Sequence, residues 1–490
     1  MKTRFTFFSV LAVLFTAALA PVGAAKAVGI FKKGPYLQQV TQTSIVIMWE
    51  TDVASDSRVD YGSSDSYGES ETDDTLVNVK IHEIGLDGLI ANTKYYYKVT
   101  SDNVTDDGVE ATGDPYTFTT APEGDQYFCF VAYGDTRTYP EDHAKVIAAI
   151  INSSPAIVIH TGDLVANGND PDQWGPQFFT PAYPLMTNTP MFPVLGNHEY
   201  NDKGETLFFD FFSLPDNEQK NEQWYSFTYG CVQFIALDTN TNVDYSPGSP
   251  QYIWLEKELN YSATWRIVYF HHPPYTRTSG HEDDEDVKRD LVPLFENKVD
   301  MVFSGHSHAY ERYFNEGVYY IVTGGGGAPL HRPLKDKNIP IRQVGEKEYH
   351  HCVIDVDSES LTLSARDNDG NEFDTITIKS GQSTLDMHVH DIDMSYKVAG
   401  PNHSGIATIC IKDTSGTNVK GATVSGKWSW PDLVDEAVSG ITGVDGEVKL
   451  QSSKIKSGGI FTFTVTNVVD SVYTYNSELN EETSDSIDVP

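Results

Sequence analysis

Five short clusters concentrate the residues able to do chemistry: Gly134-Asp135-Thr136-Arg137, Gly162-Asp163-Leu164-Val165, Gly196-Asn197-His198-Glu199, His271-His272-Pro273-Pro274 and Gly305-His306-Ser307-His308. Asp135, Asp163, Asn197, His271, His306 and His308 offer oxygen and imidazole nitrogen, hard-to-borderline donors that suit Zn²⁺, Mn²⁺, Fe or Co²⁺. Two cations held near each other need a carboxylate between them, and the set contains two. Each cluster alone is weak, because Gly-Asp after a strand is usually a turn and a lone His-His pair is commonly structural. Together they meet the single demand of a two-metal centre.

Rigid elements must hold such residues. The runs YFCFVAYGD, AIVIHTGD, MFPVLGNHE, WRIVYFHHP and DMVFSGHSH are apolar strands, each ending in one of the clusters, and VQFIALDT is a further strand. HAKVIAAIINS, SPQYIWLEKELN and DVKRDLVPLFENK read as helices between them, so residues 125–380 are expected to form an α/β domain. Side chains just beyond strand ends are held by a sheet yet stay open to a ligand. Before this stretch, residues 28–122 read as short strands with turn punctuation (SIVIMWET, NTKYYYKVTSDN, YTFTTAP), a β-sandwich. After it, IATICIKDT, GATVSGKWSW and IFTFTVTNV predict a second sandwich over 384–490.

The chain of 490 residues has 34 Lys and Arg against 70 Asp and Glu, a net charge of −36. A polyanion repels phosphate backbones and anionic lipid heads, which argues against a nucleic-acid scaffold and against polybasic membrane docking. Residues 1–27 read as a secretory signal peptide: Lys2 and Arg4 precede an apolar run from Phe5 to Leu19, and Ala25-Lys26-Ala27 offers a small-x-small cleavage site. The apolar run is shorter than the ~20 residues a membrane span needs, and no other stretch qualifies. A secreted, periplasmic or extracellular location is therefore expected. The four cysteines, Cys129, Cys231, Cys352 and Cys410, have no zinc-finger or redox spacing and read as mostly unpaired core thiols, with one bridge left open.

The order GD, GD, GNHE, HHP, GHSH resembles the calcineurin-like metallophosphoesterase superfamily. Gly34-Pro35-Tyr36-Leu37, Trp49, the stretch Asn92 to Tyr97 and Phe118-Thr119-Thr120-Ala121-Pro122 look like the fibronectin type III-like module at the front of purple acid phosphatases. The resemblance covers about Gly34 to Lys379. It implies a four-layer α/β/β/α central domain and two divalent or trivalent ions, Fe, Zn or Mn. Asp135 and His308 would hold the first ion, Asn197, His271 and His306 the second, and Asp163 would bridge both. His198 would contact the phosphoryl group or support the leaving oxygen. The implied activity is hydrolysis of a small phosphate monoester by a metal-bound hydroxide, with a phosphodiesterase or nucleotide hydrolase as the close alternative. A cell-surface binding protein with a degenerate metal site is the alternative of another class. No nucleophile elbow such as G-x-S-x-G competes.

This chain departs from the family's first metal site. Where purple acid phosphatases carry a Tyr three residues after the bridging Asp, it has Ala166, and where other members have Asp-x-His it has Asp135-Thr136-Arg137. Asn167 or a water is left to complete that site. Arg137 is either a surface ion-pair partner or a bidentate grip on phosphate oxygens. The C-terminal segment resembles immunoglobulin-like modules of secreted bacterial hydrolases. Among lesser features, Gly324 to Gly327 reads as a turn near the site, and His331, Arg332, His350 and His351 as residues that could line the cleft. The run His281 to Asp286 reads as a solvated helix start, and His388 and His390 as surface residues of an edge strand, with a metal site as the alternative.

Overall fold

The computed structural model describes residues 29–73, 79–101, 104–105, 115–200, 206–217, 219, 221–334, 342–380, 386–400, 402–430, 433–456, 458–470 and 473–489. The expected signal peptide lies outside the described residues. Three regions follow one another: a pair of β-sheets, an α/β core, and a second pair of β-sheets.

The first pair consists of two four-stranded sheets. One has the order Val79–Asp87, Ser44–Ser55, Gly29–Gln38, Val104–Thr105, and the other Glu69–Thr72, Arg58–Gly62, Lys94–Thr100, Tyr116–Thr119. Along Val79–Asp87 every second side chain is buried from His82 onward, the period-2 pattern of a strand with one solvated face. Trp49 is fully buried and stacks on His82 at 4.8 Å. This sandwich is fastened to the core by buried hydrogen bonds. Tyr36 donates its hydroxyl to the Phe211 carbonyl at 2.8 Å, Tyr97 to Thr187 at 2.8 Å, and Gln38 its amide to Met191 at 3.2 Å. The last of these grips the strand that leads to Asn197 and His198.

The core contains a six-stranded sheet, in the order Met191–Pro193, Ile157–His160, Phe128–Tyr133, His350–Val356, Ser360–Asp367, Glu372–Lys379. Its first three strands are parallel, and the other three add on antiparallel. The seven-stranded sheet has the order Tyr225–Tyr229, Val232–Ala236, Trp265–Tyr269, Met301–Ser304, Val318–Thr323, Tyr310–Asn315, Arg342–Glu346. Here Val232–Ala236, Trp265–Tyr269, Met301–Ser304 and Val318–Thr323 run parallel. The central strands are buried along their whole length, as parallel strands covered on both faces must be. Phe130 meets Phe234 at 5.0 Å and Phe303 at 6.5 Å, so the sheets pack face to face.

Helices cover both outer faces, which completes four layers. Helix Pro140–Asn152 starts with Pro140, carries Glu141 and Asp142 in its first turn, and buries His143, Val146, Ile147 and Ile150. Helix Pro250–Glu258 is capped by Ser249, whose hydroxyl accepts from the Tyr252 amide at 3.3 Å. It packs Trp254 and Leu255 into a second apolar cluster with Ile235, Val268 and Phe295. The single helix expected over DVKRDLVPLFENK is instead two short ones, Glu285–Asp290 and Val292–Phe295. Pro293 lacks an N–H and its ring clashes with the carbonyl four residues back, so it interrupts the helix.

The last region has two four-stranded sheets around its own core, which includes Trp428, Phe461, Phe463, Ile409 and Val424. All four cysteines are free, and three of them, Cys129, Cys231 and Cys352, are buried. Among the described residues no helix is long and apolar enough to cross a membrane.

Candidate metal centre

Five parallel strands, Phe128–Tyr133, Ile157–His160, Met191–Pro193, Trp265–Tyr269 and Met301–Ser304, deliver their following turns to one place between the two sheets. The turns are tight. Asp135 (φ 58°), Asp163 (φ 58°) and His306 (φ 65°) all adopt the left-handed region that costs a side-chain-bearing residue energy. Glycines let the turns close on one another: a Cβ on Gly162 would stand 2.9 Å from His271 Nδ1, and one on Gly196 or Gly305 would collide with the Asp163 or Asp135 carboxylate.

All six candidate ligands come together. Asp135, Asp163 and His308 bring their ligand atoms within 4.8 Å of one another, and so do His271, His272 and His306. Asn197 Oδ1 lies 3.2 Å from His271 Nε2 and 3.0 Å from His306 Nδ1. Asp163 stands between the groups, with its Oδ1 3.3 Å from His271 Nε2 and its Oδ2 accepting from Arg137 Nε at 3.1 Å. His308 Nε2 is 3.5 Å from Asp135 Oδ1.

The hydrogen bonds fix which ring nitrogens face inward. A carbonyl only accepts, so His271 Nδ1, 2.8 Å from the Thr161 carbonyl, and His308 Nδ1, 2.8 Å from the Pro329 carbonyl, must carry protons. Burial pushes His271 and His306 well below the usual imidazole range and His308 down to about 3, so these rings are neutral and their Nε2 atoms, in His271 and His308, are bare lone pairs. Burial, reinforced by Asp163, drives the Asp135 carboxyl well above the usual range. Buried carboxylates and facing lone pairs are costly unless positive charge lies among them. The donor set fits two borderline cations.

Glu199 has a part that its place in the third cluster did not disclose. Wholly buried, it accepts from the amides of Asp163 (2.9 Å), Leu164 (2.9 Å), Val165 (3.3 Å) and Gly196 (2.8 Å), clamping two ligand-bearing turns together. Burial, and then the Asp163 charge, push its carboxyl up to about 8. The glutamate in GNHE was the available signal, but backbone partners leave no mark in sequence.

His198 donates its backbone amide to Asp163 Oδ1 at 3.1 Å and its Nδ1–H to the Ala166 carbonyl at 2.8 Å, so only Nε2 is free, 3.9 Å from Asp163 Oδ2. Arg137 is half-buried and turns inward to an ion pair with Asp163. Besides Asp163 it approaches His308 Nε2 with Nη2 at 3.3 Å. Asn167 is exposed, and its Oδ1 accepts from the Asn169 amide, closing a turn. His331 stacks on His308 with centroids 4.2 Å apart. His281 belongs to the rim, 3.9 Å from the His306 ring; the solvated helix start begins at Asp284, which caps helix Glu285–Asp290, with Glu285 and Asp286 exposed in its first turn. His350 and His351 do not line the cleft. They are buried in the strand His350–Val356, because a central strand covered on both faces hides consecutive residues. Gly324 to Gly327 forms a brace: the Gly326 amide donates to the Gly134 carbonyl and the Ala328 amide to the Asp135 carbonyl, both at 2.8 Å.

Comparison with known proteins identifies the domains that carry these turns. The profile described as calcineurin-like phosphoesterase matches residues 130–310, and that described as purple acid phosphatase, N-terminal domain, matches 35–120. Purple acid phosphatase 23 of Arabidopsis thaliana is 28% identical over 314 residues, covering 54% of this chain and 67% of its own. A purple acid phosphatase of Glycine max is 29% identical, covering 61% and 68%, and the phosphoenolpyruvate phosphatase of Allium cepa is 28% identical, covering 61% and 65%. The chain thus spans about two thirds of the length of these relatives. In fold it is similar to a purple acid phosphatase from yellow lupin (Lupinus luteus) seeds, with a TM-score of 0.60 at 22% identity over 70% of this chain and 74% of that one. Both domain matches occur in tandem and the relatives are of one kind, so the chain is a metal-dependent phosphatase of the calcineurin-like metallophosphoesterases, purple acid phosphatase-like in its N-terminal and central domains.

Proposed function

We propose that the chain is an exported enzyme that hydrolyses phosphate monoesters, with Asp163 bridging two cations, Asp135 and His308 serving the first, and Asn197, His271 and His306 the second. The observation that carries this reading is the approach of Asn197 Oδ1 and His271 Nε2 to 3.2 Å with no proton between them. Two such lone pairs repel unless a cation separates them. Export is supported by the leader-like residues 1–27.

When bound, a pair of ions of the Fe, Zn or Mn class supplies hydroxide from water near neutral pH and offsets charge on the phosphoryl group. The chain does the rest. Arg137 offers a planar fork of N–H donors to the phosphate oxygens. His198, with Nδ1–H committed to Ala166, would act through Nε2: as imidazolium it donates its Nε2–H to a phosphoryl oxygen or hands that proton to the departing alcohol oxygen, leaving the neutral ring. His281 and His331 stand beside His306 and His308 at the rim of the opening. The Allium cepa relative is named for phosphoenolpyruvate, a monoester, which favours the monoester reading.

The test is turnover of p-nitrophenyl phosphate and bis(p-nitrophenyl) phosphate by the purified mature chain with Mn²⁺, Zn²⁺ or Fe restored. Faster cleavage of the monoester is expected. A diester preference would make it a phosphodiesterase, and hydrolysis of neither would favour a surface binding protein. A second expectation concerns colour, which in purple acid phosphatases arises from a Tyr bound to ferric iron. With Ala166 at that position the iron-loaded enzyme should be colourless. An absorption band in the green to yellow region would show that another phenolate ligates the iron.

A further inference from the structure

We propose that His388, His390 and Glu481 form a separate site for one borderline divalent cation, of the zinc class, on the C-terminal sandwich. The strand Asp386–Ala399 pairs along its length with Asn402–Asp413, but on its other edge it meets Thr474–Tyr475 only at Asp386 and Met387. Beyond Met387 the segment 480–482 takes over that edge. The Val389 amide donates to Asn480 Oδ1 at 2.9 Å, the Glu481 amide to the Val389 carbonyl at 3.0 Å, and the Ile392 amide to Glu482 Oε2 at 2.8 Å. Glu481 is therefore held in place by its backbone. A register shift between Val389 and Asp391 leaves His390 as an extra residue, and such a bulge re-aims a side chain.

The result is convergence on one carboxylate oxygen. His390 Nδ1 lies 2.7 Å and His388 Nε2 3.6 Å from Glu481 Oε1, and all three ligand atoms fall within 4.8 Å of one another. Tetrahedral zinc with bonds of ~2.0–2.2 Å sets its ligand atoms about 3.4 Å apart, so shifts of an ångström or less, on that scale, would admit the ion. His388 is only 8% exposed, and burial holds its ring below the usual imidazole range, so it offers a lone pair at neutral pH. Its Nδ1 is buried without a hydrogen-bond partner among the described residues. Both imidazoles address the same Glu481 oxygen, His390 at 2.7 Å and the largely buried His388 at 3.6 Å, and this convergence of two rings on one carboxylate is the arrangement a cation needs. Two His and one carboxylate leave the fourth position to water. Bound there, the ion would tie segment 480–482 to the strand edge.

The experiment counts ions. The full mature chain, stripped with chelator and titrated with Zn²⁺, is compared with His390→Ala and Glu481→Ala, both at partly exposed positions where truncation spares the core. Each variant is expected to bind one Zn²⁺ per chain fewer than wild type, with turnover of p-nitrophenyl phosphate unchanged. Equal zinc content in wild type and both variants would overturn the site, whether or not the protein hydrolyses phosphate esters.

Discussion

Asp163→Ala is expected to empty the two-metal centre and to lower turnover by at least about a thousandfold, on the order of 4 kcal/mol of lost transition-state stabilisation. Asp163 alone stands between both ligand groups. Its Oδ1 faces His271 at 3.3 Å and accepts from the His198 amide at 3.1 Å, while Oδ2 receives Arg137. Under the proposed assignment its removal would take the shared charge from both ions, and it would release Arg137 and the His198 amide from their contacts. Part of any loss could come from the backbone, because φ 58° suits Ala poorly. Asp163→Asn separates the two effects, since Asn tolerates that conformation and keeps the shape while losing the charge. It is expected to lose metal and activity nearly as fully while unfolding at a temperature close to wild type. Ion content equal to wild type's in Asp163→Ala would overturn the bridging role.

Arg137→Ala carries the second largest expected effect. A charge-assisted bidentate contact is worth more than a neutral hydrogen bond, on the order of 1.5–3 kcal/mol. At 1.4 kcal/mol per decade this is roughly a ten- to hundredfold loss in kcat/KM, with metal content unchanged. Loss in kcat would mean that the contact strengthens in the transition state, and loss through KM alone that it serves ground-state binding. Arg137→Lys restores the charge but not the fork and should fall between the two. Unchanged kinetics in Arg137→Ala would refute the phosphate role. The bond from Arg137 Nε to Asp163 at 3.1 Å gives the other outcome a concrete meaning: if metal leaves together with activity, Arg137 orders the ligands and does not grip the substrate.

The ligand chemistry was legible in sequence because it resides in residue types at strand ends. An apolar run that stops at Gly-Asp or Gly-Asn-His-Glu names both the strand and the donor it delivers. The order of elements was legible for the same reason, since buried parallel strands read as continuous apolar runs. Pro293 is visible in the sequence too, but the apolar periodicity on both sides of it masks its consequence, a helix broken in two.

What only the tertiary structure decided are the partnerships between segments far apart in the chain. Glu199 binds amides of the turn at 163–165, Arg137 reaches His308, His281 leans on His306, and Glu481 meets His390 across 91 residues. His350 and His351 carry no mark in sequence that separates them from cleft residues; the place of their strand, inside a sheet covered on both faces, is what buries them. Local pattern sets which face of an element is apolar and where it ends. Which turns then meet depends on how two sheets stack and on glycines that let backbones approach within a Cβ's width, and those contacts exist only once the whole core has closed.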